Sequence, residues 1–303
     1  MPTEVMTEAA TMEKVSEFWS GCLPSPEDER DYPCSAAMEI DETEENFPRE
    51  FEVWTSPVEN QGTTGNCVAQ ALAAIVESEY HRLNSAHEEY SVGYIYGNRR
   101  KEGIPKSSGM FPRSACEAMI DFGDVTKAVF ECVDEVPNVI KEFEAAYDGI
   151  KDKAWCPFGE YVRLSRKKTD DIKRFIYKYR IPVLVAVDAS CISPMSRGNH
   201  AVIVYGWDWD NSLKIQNSWG SRCDKVMINI DDVKEAWGLV PKEKEFTDVS
   251  KEAWYASAVE EAAFDGIING YPDGTFKPEK AVTRAELAAI YQRIKKVLGR
   301  EQQ

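Results

Sequence analysis

Histidine is scarce in this chain: three in 303 residues, at positions 81, 87 and 200. Any chemistry that needs an imidazole must draw on one of these. Cys-x-x-Cys pairs are absent. The eight cysteines, at 22, 34, 67, 116, 132, 156, 191 and 223, are widely and irregularly spaced. That removes the usual zinc half-site, so no metal or other cofactor is expected, and it fits mostly reduced thiols. There is no run of 18 apolar residues, so no membrane-spanning helix is expected. Residues 1–8 have no basic start leading into an apolar stretch, so no export signal is expected there. Positive charge is in deficit: 36 Lys and Arg stand against 52 Asp and Glu, a formal net charge of −16 with a pI near 4.8. That balance disfavours nucleic acid or an anionic membrane surface as the main partner. No internal repeat is visible.

The composition includes 43% hydrophobic and 11% aromatic residues, enough to build a core. Residues 1–46 are acidic and broken by prolines, and read as an arm with one short helix over 8–19. The arm either packs along a domain edge or crosses a cleft as a substrate chain would. The run Asp41-Glu-Thr-Glu-Glu45 reads as solvated arm rather than a metal cluster. Residues 47–240 mix both periods. Ala69, Leu72, Ile75, Val76 and Leu83 recur at helical spacing after Cys67, and further helices are predicted over 112–122 and 169–179. Apolar β-branched runs at 182–187, 200–205 and 213–217 read as strands. Helices first and strands later give an α+β domain rather than a doubly wound sheet. Residues 241–245 form a charged linker, and 246–298 a small all-helical module. Asp208-Trp-Asp210-Asn-Ser resembles the start of a calcium loop, but Leu213 and Trp219 stand where glycine and glutamate are needed.

Cys67 follows the turn Gly62-Thr-Thr-Gly-Asn66 and opens the strongest helix, where the helix dipole favours a thiolate. By itself this is weak, because a cysteine at a helix start is more often a buried structural thiol. His81 and His87 lie in or just beyond that helix, away from its first turn. His200 begins an apolar strand, in Gly198-Asn199-His200. Asn217 ends another, in Asn217-Ser-Trp219-Gly. Gln61 stands six residues before Cys67, His200 133 residues after it and Asn217 150 after it.

In that order and span the set closely resembles the papain-like cysteine peptidases, over residues 47–237. The resemblance implies a two-lobed α+β fold, a helical lobe plus a β-barrel-like lobe. Cys67 is implied as the nucleophile, His200 as its base and later acid, and Asn217 as the group that orients the imidazole, with Trp219 shielding that bond. Gln61 and the Cys67 N–H are implied as the oxyanion donors. Ser108, Gly109, Met110, Asn199 and Trp219 would line the path of a polypeptide substrate. Some positions depart from the family pattern: Val68 replaces an aromatic, Thr64 a cysteine, and Ser221-Arg-Cys-Asp224 a glycine-rich stretch. The remaining barrel strands look shortened.

In the last 60 residues, Phe246-Thr-Asp-Val, Gly270-Tyr-Pro-Asp-Gly-Thr-Phe276 and Thr283-Arg-Ala-Glu286 together resemble an S-layer homology module. Thr283 and Glu286 also form a capping box. The predicted helix from Trp254 to Ala263 puts Ala258, Val259, Ala262 and Ala263 on its apolar side. The module's core is expected from Trp254, Val259, Ile267, Phe276, Leu287 and Ile290. The resemblance implies binding to secondary cell wall polymer through Asp273, Gly274 and Arg284. It also implies a place in the cell wall or outside the cell, although no export signal is visible. One such module must pack its apolar face on the peptidase or on other copies, giving a monomer or a homotrimer. The leading reading is a bacterial or phage-encoded cysteine endopeptidase tethered to wall polymer. The alternatives are a peptidoglycan-peptide hydrolase and a non-catalytic wall-bound interaction protein. The complete set of Cys67, Gln61, His200 and Asn217 argues against the last.

Overall fold

The computed structural model describes residues 21–28, 31, 47–62, 64–99, 109–131, 138–165, 169–194, 196–210, 212–220 and 225–300. The predicted helix over 8–19, Ser108 and the 221–224 stretch lie outside them. The chain divides into two compact units: residues 1–79 with 87–241, and residues 80–86 with 242–303.

Helix α1, Cys67–Asn84, belongs to the first unit as far as residue 79. Its first full turn begins where the Asn66 carbonyl accepts from the Gln70 N–H at 3.0 Å. Cys67, Val68, Ala69, Leu72, Ile75 and Val76 are all fully buried; burial on more than one face makes α1 a core helix rather than a surface one. It ends at Ser85, whose φ of 52° breaks the helix while its N–H bonds the His81 carbonyl at 2.8 Å. Three more helices complete the helical side: α2 (Val92–Asn98), α3 (Pro112–Phe122) and α4 (Asn138–Ile150). The Ser91 hydroxyl caps α2 by accepting from the Tyr94 N–H at 3.0 Å, and Pro112 opens α3 where its missing N–H costs nothing.

Gly97 marks a close helix contact. A β-carbon there would fall 2.3 Å from Cγ of Phe143, a buried residue of α4. Gly97→Ala should therefore destabilise the unit by about 1–3 kcal/mol through overpacking. A urea midpoint that does not move would contradict that packing.

The strands are β1 (Phe51–Glu52), β2 (Phe158–Leu164), β3 (Val183–Asp188), β4 (Asn199–Trp207), β5 (Leu213–Gln216), β6 (Lys225–Ile228) and β7 (Val233–Pro241), with α5 (Thr169–Tyr179) between β2 and β3. They form one antiparallel sheet in the order β2-β7-β3-β4-β5-β6, with β1 paired to β4. The run Val183–Val187 is wholly buried because β3 sits mid-sheet. The α1, α3 and α5 helices and the three predicted strands are where the sequence places them. The expected shortening of the remaining strands is corrected: β7 runs nine residues and pairs with β2 at six positions.

In the second unit, α6 (Ala256–Phe264) and α7 (Arg284–Arg300) are the helices. Phe246, Val259 and Ala263 form its buried centre, with Val249, Tyr255, Ile268 and Phe276 packed against it. Two core expectations fail: Trp254 is 93% exposed and Leu287 60% exposed. Helix α6 starts after Trp254, so that ring lies off the helical row. Ala258 is exposed too, because the buried row runs through Ala256, Val259 and Ala263. The capping box is present: the Thr283 N–H donates to Glu286 Oε2 at 2.7 Å, and the Glu286 N–H to Thr283 Oγ1 at 3.1 Å.

Candidate active site

The turn before α1 is held from two sides. The Gln61 N–H donates to the Ser218 carbonyl at 2.8 Å, and Gly220 N–H to the Glu59 carbonyl at 3.1 Å. This ties the loop carrying Gln61 to the loop after β5. The Gln61 side chain is fixed as well: its Nε2 donates to the Thr64 carbonyl at 2.9 Å, while its Oε1 accepts from Ser218 Oγ at 2.6 Å. Sequence reasoning missed Ser218 as a positioning group, although it follows Asn217 directly.

His200 enters as the second residue of β4, opposite Val187 of β3. Its Nε2 lies 2.7 Å from Asn217 Oδ1. That oxygen also accepts the Ser218 N–H at 2.8 Å, so it serves as an acceptor and Nε2 must carry the proton. Neutral His200 therefore has its basic lone pair on Nδ1, which is buried without a hydrogen-bond partner. Trp219 stacks on the imidazole, with ring centroids 4.4 Å apart and planes 29° from parallel.

Cys67, at the start of α1, is fully buried. Backbone groups of Ala201, the residue after His200, and of Gly21 act on the Cys67 thiol to lower it. Cys67 thus feels the backbone at the start of β4, the strand that carries His200. Burial pushes the Cys67 thiol up to about 11 despite those backbone groups. Burial likewise pushes His200 down to about 4, with the Asn217 hydrogen bond opposing it. At neutral pH the pair therefore rests as thiol and neutral imidazole, since taking either charge out of water costs more than its local partners return.

The chain's own arm lies against the turn that leads into Cys67, where Gly21 meets Gly65. The Met110 N–H donates to the Gly21 carbonyl, and the Leu23 N–H to the Met110 carbonyl, each at 2.9 Å. These bonds make a parallel bridge between Cys22 and Met110. Met110, predicted as part of a substrate ledge, is thus paired with residues 21–23. Gly109 beside it lies against Leu23. The arm is clamped further along. Ser25 N–H donates to Glu235 Oε1 at 2.8 Å, and Arg113 N–H to Ser25 Oγ at 3.2 Å. Asp28 pairs with Arg113, and Asp31 with Arg163 at 2.9 Å. An arm across a cleft was one of the two expected courses, but the clamps themselves join positions far apart in the sequence and no local pattern gave them. Asn199 is turned to another partner: its Oδ1 accepts from Lys234 Nζ at 2.7 Å.

Behind Asn217 lies a cavity of about 60 Å³ bordered by Gln61, Asn66, Gln70, Glu77, Gln216 and Asn217. Asn66 Oδ1, Gln70 Oε1, Gln216 Oε1 and Asn217 Nδ2 are buried there without protein partners. The space suits several bound waters.

Among solved structures, xylellain, a cysteine protease from Xylella fastidiosa, matches with a TM-score of 0.61 at 19% identity, over 75% of this chain and 97% of that one. The fold is that of the papain-like cysteine proteases. The viral cathepsin of Adoxophyes honmai nucleopolyhedrovirus is 23% identical over 208 residues, covering 60% of this chain. The family model of the S-layer homology domain matches residues 245–288. A cellulosome-anchoring protein of Acetivibrio thermocellus is 38% identical over 58 residues, 19% of this chain. The chain spans 55% of the viral cathepsin's length and 13% of the anchoring protein's. This protein therefore joins a papain-like domain to an S-layer homology domain.

In the S-layer homology domain, Asp273 and Gly274 form a tight turn. The Asp273 carboxylate accepts from Thr275 and from Lys277 Nζ, at 2.9 Å for the lysine, and these bonds hold it down at about 2. Gly274, with φ of 79°, accepts the Thr247 N–H at 3.1 Å. Both thus have structural work already. Arg284 is exposed at the start of α7 and forms no salt bridge with another described residue.

Proposed function

We propose that the papain-like domain cleaves peptide bonds by a thiol–imidazole mechanism, held near the cell wall by its S-layer homology domain. The observation that carries this reading is the 2.7 Å contact between His200 Nε2 and Asn217 Oδ1, which leaves Nδ1 buried and unpartnered, free to take a proton. With the arm displaced, Nδ1 takes the Cys67 proton and the thiolate attacks the scissile carbonyl. The oxygen that becomes negative is met by Gln61 Nε2 and the Cys67 N–H. The imidazolium then protonates the leaving amine, and water releases the acyl group by the reverse path. Trp219 keeps water off the His200–Asn217 bond. The expected assay is hydrolysis of unfolded protein by chain lacking the arm, compared with release of peptides from purified wall. Cleavage of wall peptides alone would move the substrate class to peptidoglycan.

Residues 21–23 act in this reading as a built-in inhibitor, since they use the Met110 N–H and carbonyl that a substrate strand needs. The arm runs parallel to Met110 and carries Gly21, not a scissile bond with an apolar side chain, over the thiol.

The tether rests on the S-layer homology domain, and within it on Arg284, whose planar guanidinium suits two-point contact with an anionic polymer. Arg284→Ala should weaken pull-down with purified wall by about tenfold, the loss of one charge-assisted contact. Undiminished binding would remove Arg284 from the tether.

A further inference from the structure

The arm brings a second thiol to the site. Cys22 and Cys67 are both free and both buried, 3% and 0% exposed. The backbone of Gly21 acts on the Cys67 thiol, lowering it against the effect of burial, and Cys22 is the next residue. Its own backbone is pinned from both sides by the Gly21–Met110 and Leu23–Met110 hydrogen bonds. Gly21 also lies so close to Gly65, two residues before Cys67, that a β-carbon on it would fall 2.4 Å from the Gly65 carbonyl oxygen. Cys22 thus follows directly on a residue packed against the turn that leads into Cys67. The Cys22 thiol is raised first by burial and next by Cys67.

We propose that Cys22 is a resolving thiol, which captures the oxidised sulfur of Cys67 and closes a Cys22–Cys67 disulfide that locks the arm over the cleft. The inference rests on Cys67 being a reactive thiol but not on the protein being a protease. The oxidant is a peroxide. When the arm lifts, the Cys67 thiolate attacks one peroxide oxygen; the O–O bond breaks, and Cys67 becomes a sulfenic acid as hydroxide leaves and takes up a proton. The clamps at Arg113, Arg163 and Glu235 return the arm to one register, giving Cys22 a high effective concentration at that sulfur. Cys22 then attacks it, the S–S bond forms, the S–OH bond breaks, and the hydroxide leaves as water with the Cys22 proton. In sum, two thiols and one hydrogen peroxide give one disulfide and two waters, and both electrons come from the sulfurs. A dithiol reverses the step by exchange. The disulfide spares Cys67 from the irreversible sulfinic and sulfonic acids.

The test treats the full chain with one equivalent of hydrogen peroxide, then maps peptides by mass spectrometry without reduction. The expected product is a Cys22–Cys67 crosslink that dithiothreitol removes. In the Cys22→Ser protein, Cys67 should pass to sulfinic acid at least tenfold faster than in the parent. Cys67 paired with another cysteine, or Cys22 still alkylatable after Cys67 is oxidised, overturns the proposal. So does equal overoxidation in the two proteins, which would make Cys22 only a small buried side chain. The crosslink is read without any substrate, so an inactive protein that still crosslinks would count against proteolysis alone.

Discussion

Cys67→Ala should abolish hydrolysis in the arm-free protein, with a loss of at least about 10⁴-fold in kcat. What survives is only the help that oxyanion donors and binding give to water. His200→Ala should be as severe, because the thiolate and imidazolium form as a pair, and the double variant should lose no more than either alone. Asn217→Ala should cost less: it removes the 2.7 Å contact that fixes the ring but leaves both reacting groups. Gln61→Ala should cost about 10²–10³-fold, the usual effect of one oxyanion donor. All four proteins should keep the parent's circular dichroism and wall binding, which separates chemistry from folding. A Cys67→Ala protein with full activity would end the assignment.

Removing the arm should have the opposite sign. A protein starting after residue 31 should gain about tenfold or more in activity, because a tethered occupant at high effective concentration outcompetes free substrate. An Asp28→Ala, Asp31→Ala chain, which loses the partners of Arg113 and Arg163 without being shortened, should gain in the same direction and guards against a truncated protein that does not fold. Thiol alkylation reads the cause. In the full chain burial holds the Cys67 thiol at about 11 and His200 at about 4, so at neutral pH neither is charged. Alkylation should then be slow at pH 7 and climb as pH rises toward 11, where the thiol loses its proton. Without the arm, water and the imidazolium reach the sulfur, and alkylation should be fast at pH 6–7. Equal alkylation profiles would show that the arm does not set the protonation of the pair.

Much of this site was legible from the residues. Cys67 could be placed because a run of apolar side chains at helical spacing follows it. His200 and Asn217 could be placed because each borders an apolar strand at a distance in sequence that matches the papain-like pattern. Strands β2 and β7 escaped notice for a physical reason. Arg163 and Glu160 interrupt the one, while Lys234, Glu235 and Gly238 interrupt the other, and the two make sense only as partners. Helix α4 was hidden in the same way, since its apolar face is defined by Phe143 meeting Gly97. Trp254 misled because a large ring near a helix start looks like core, whereas α6 begins two residues later. The arm was the least legible element. Its course depends on Ser25, Asp28 and Asp31 meeting Glu235, Arg113 and Arg163, contacts that no local pattern encodes.

The central claim is that Cys67 is a nucleophile activated by His200. The most direct measurement is labelling with an active-site-directed peptidyl epoxide, read by peptide mass spectrometry on the arm-free protein. One label should appear, on Cys67, and His200→Ala should abolish it. A label spread over Cys116, Cys156 and Cys191, or one on Cys67 that His200→Ala leaves unchanged, would contradict the account.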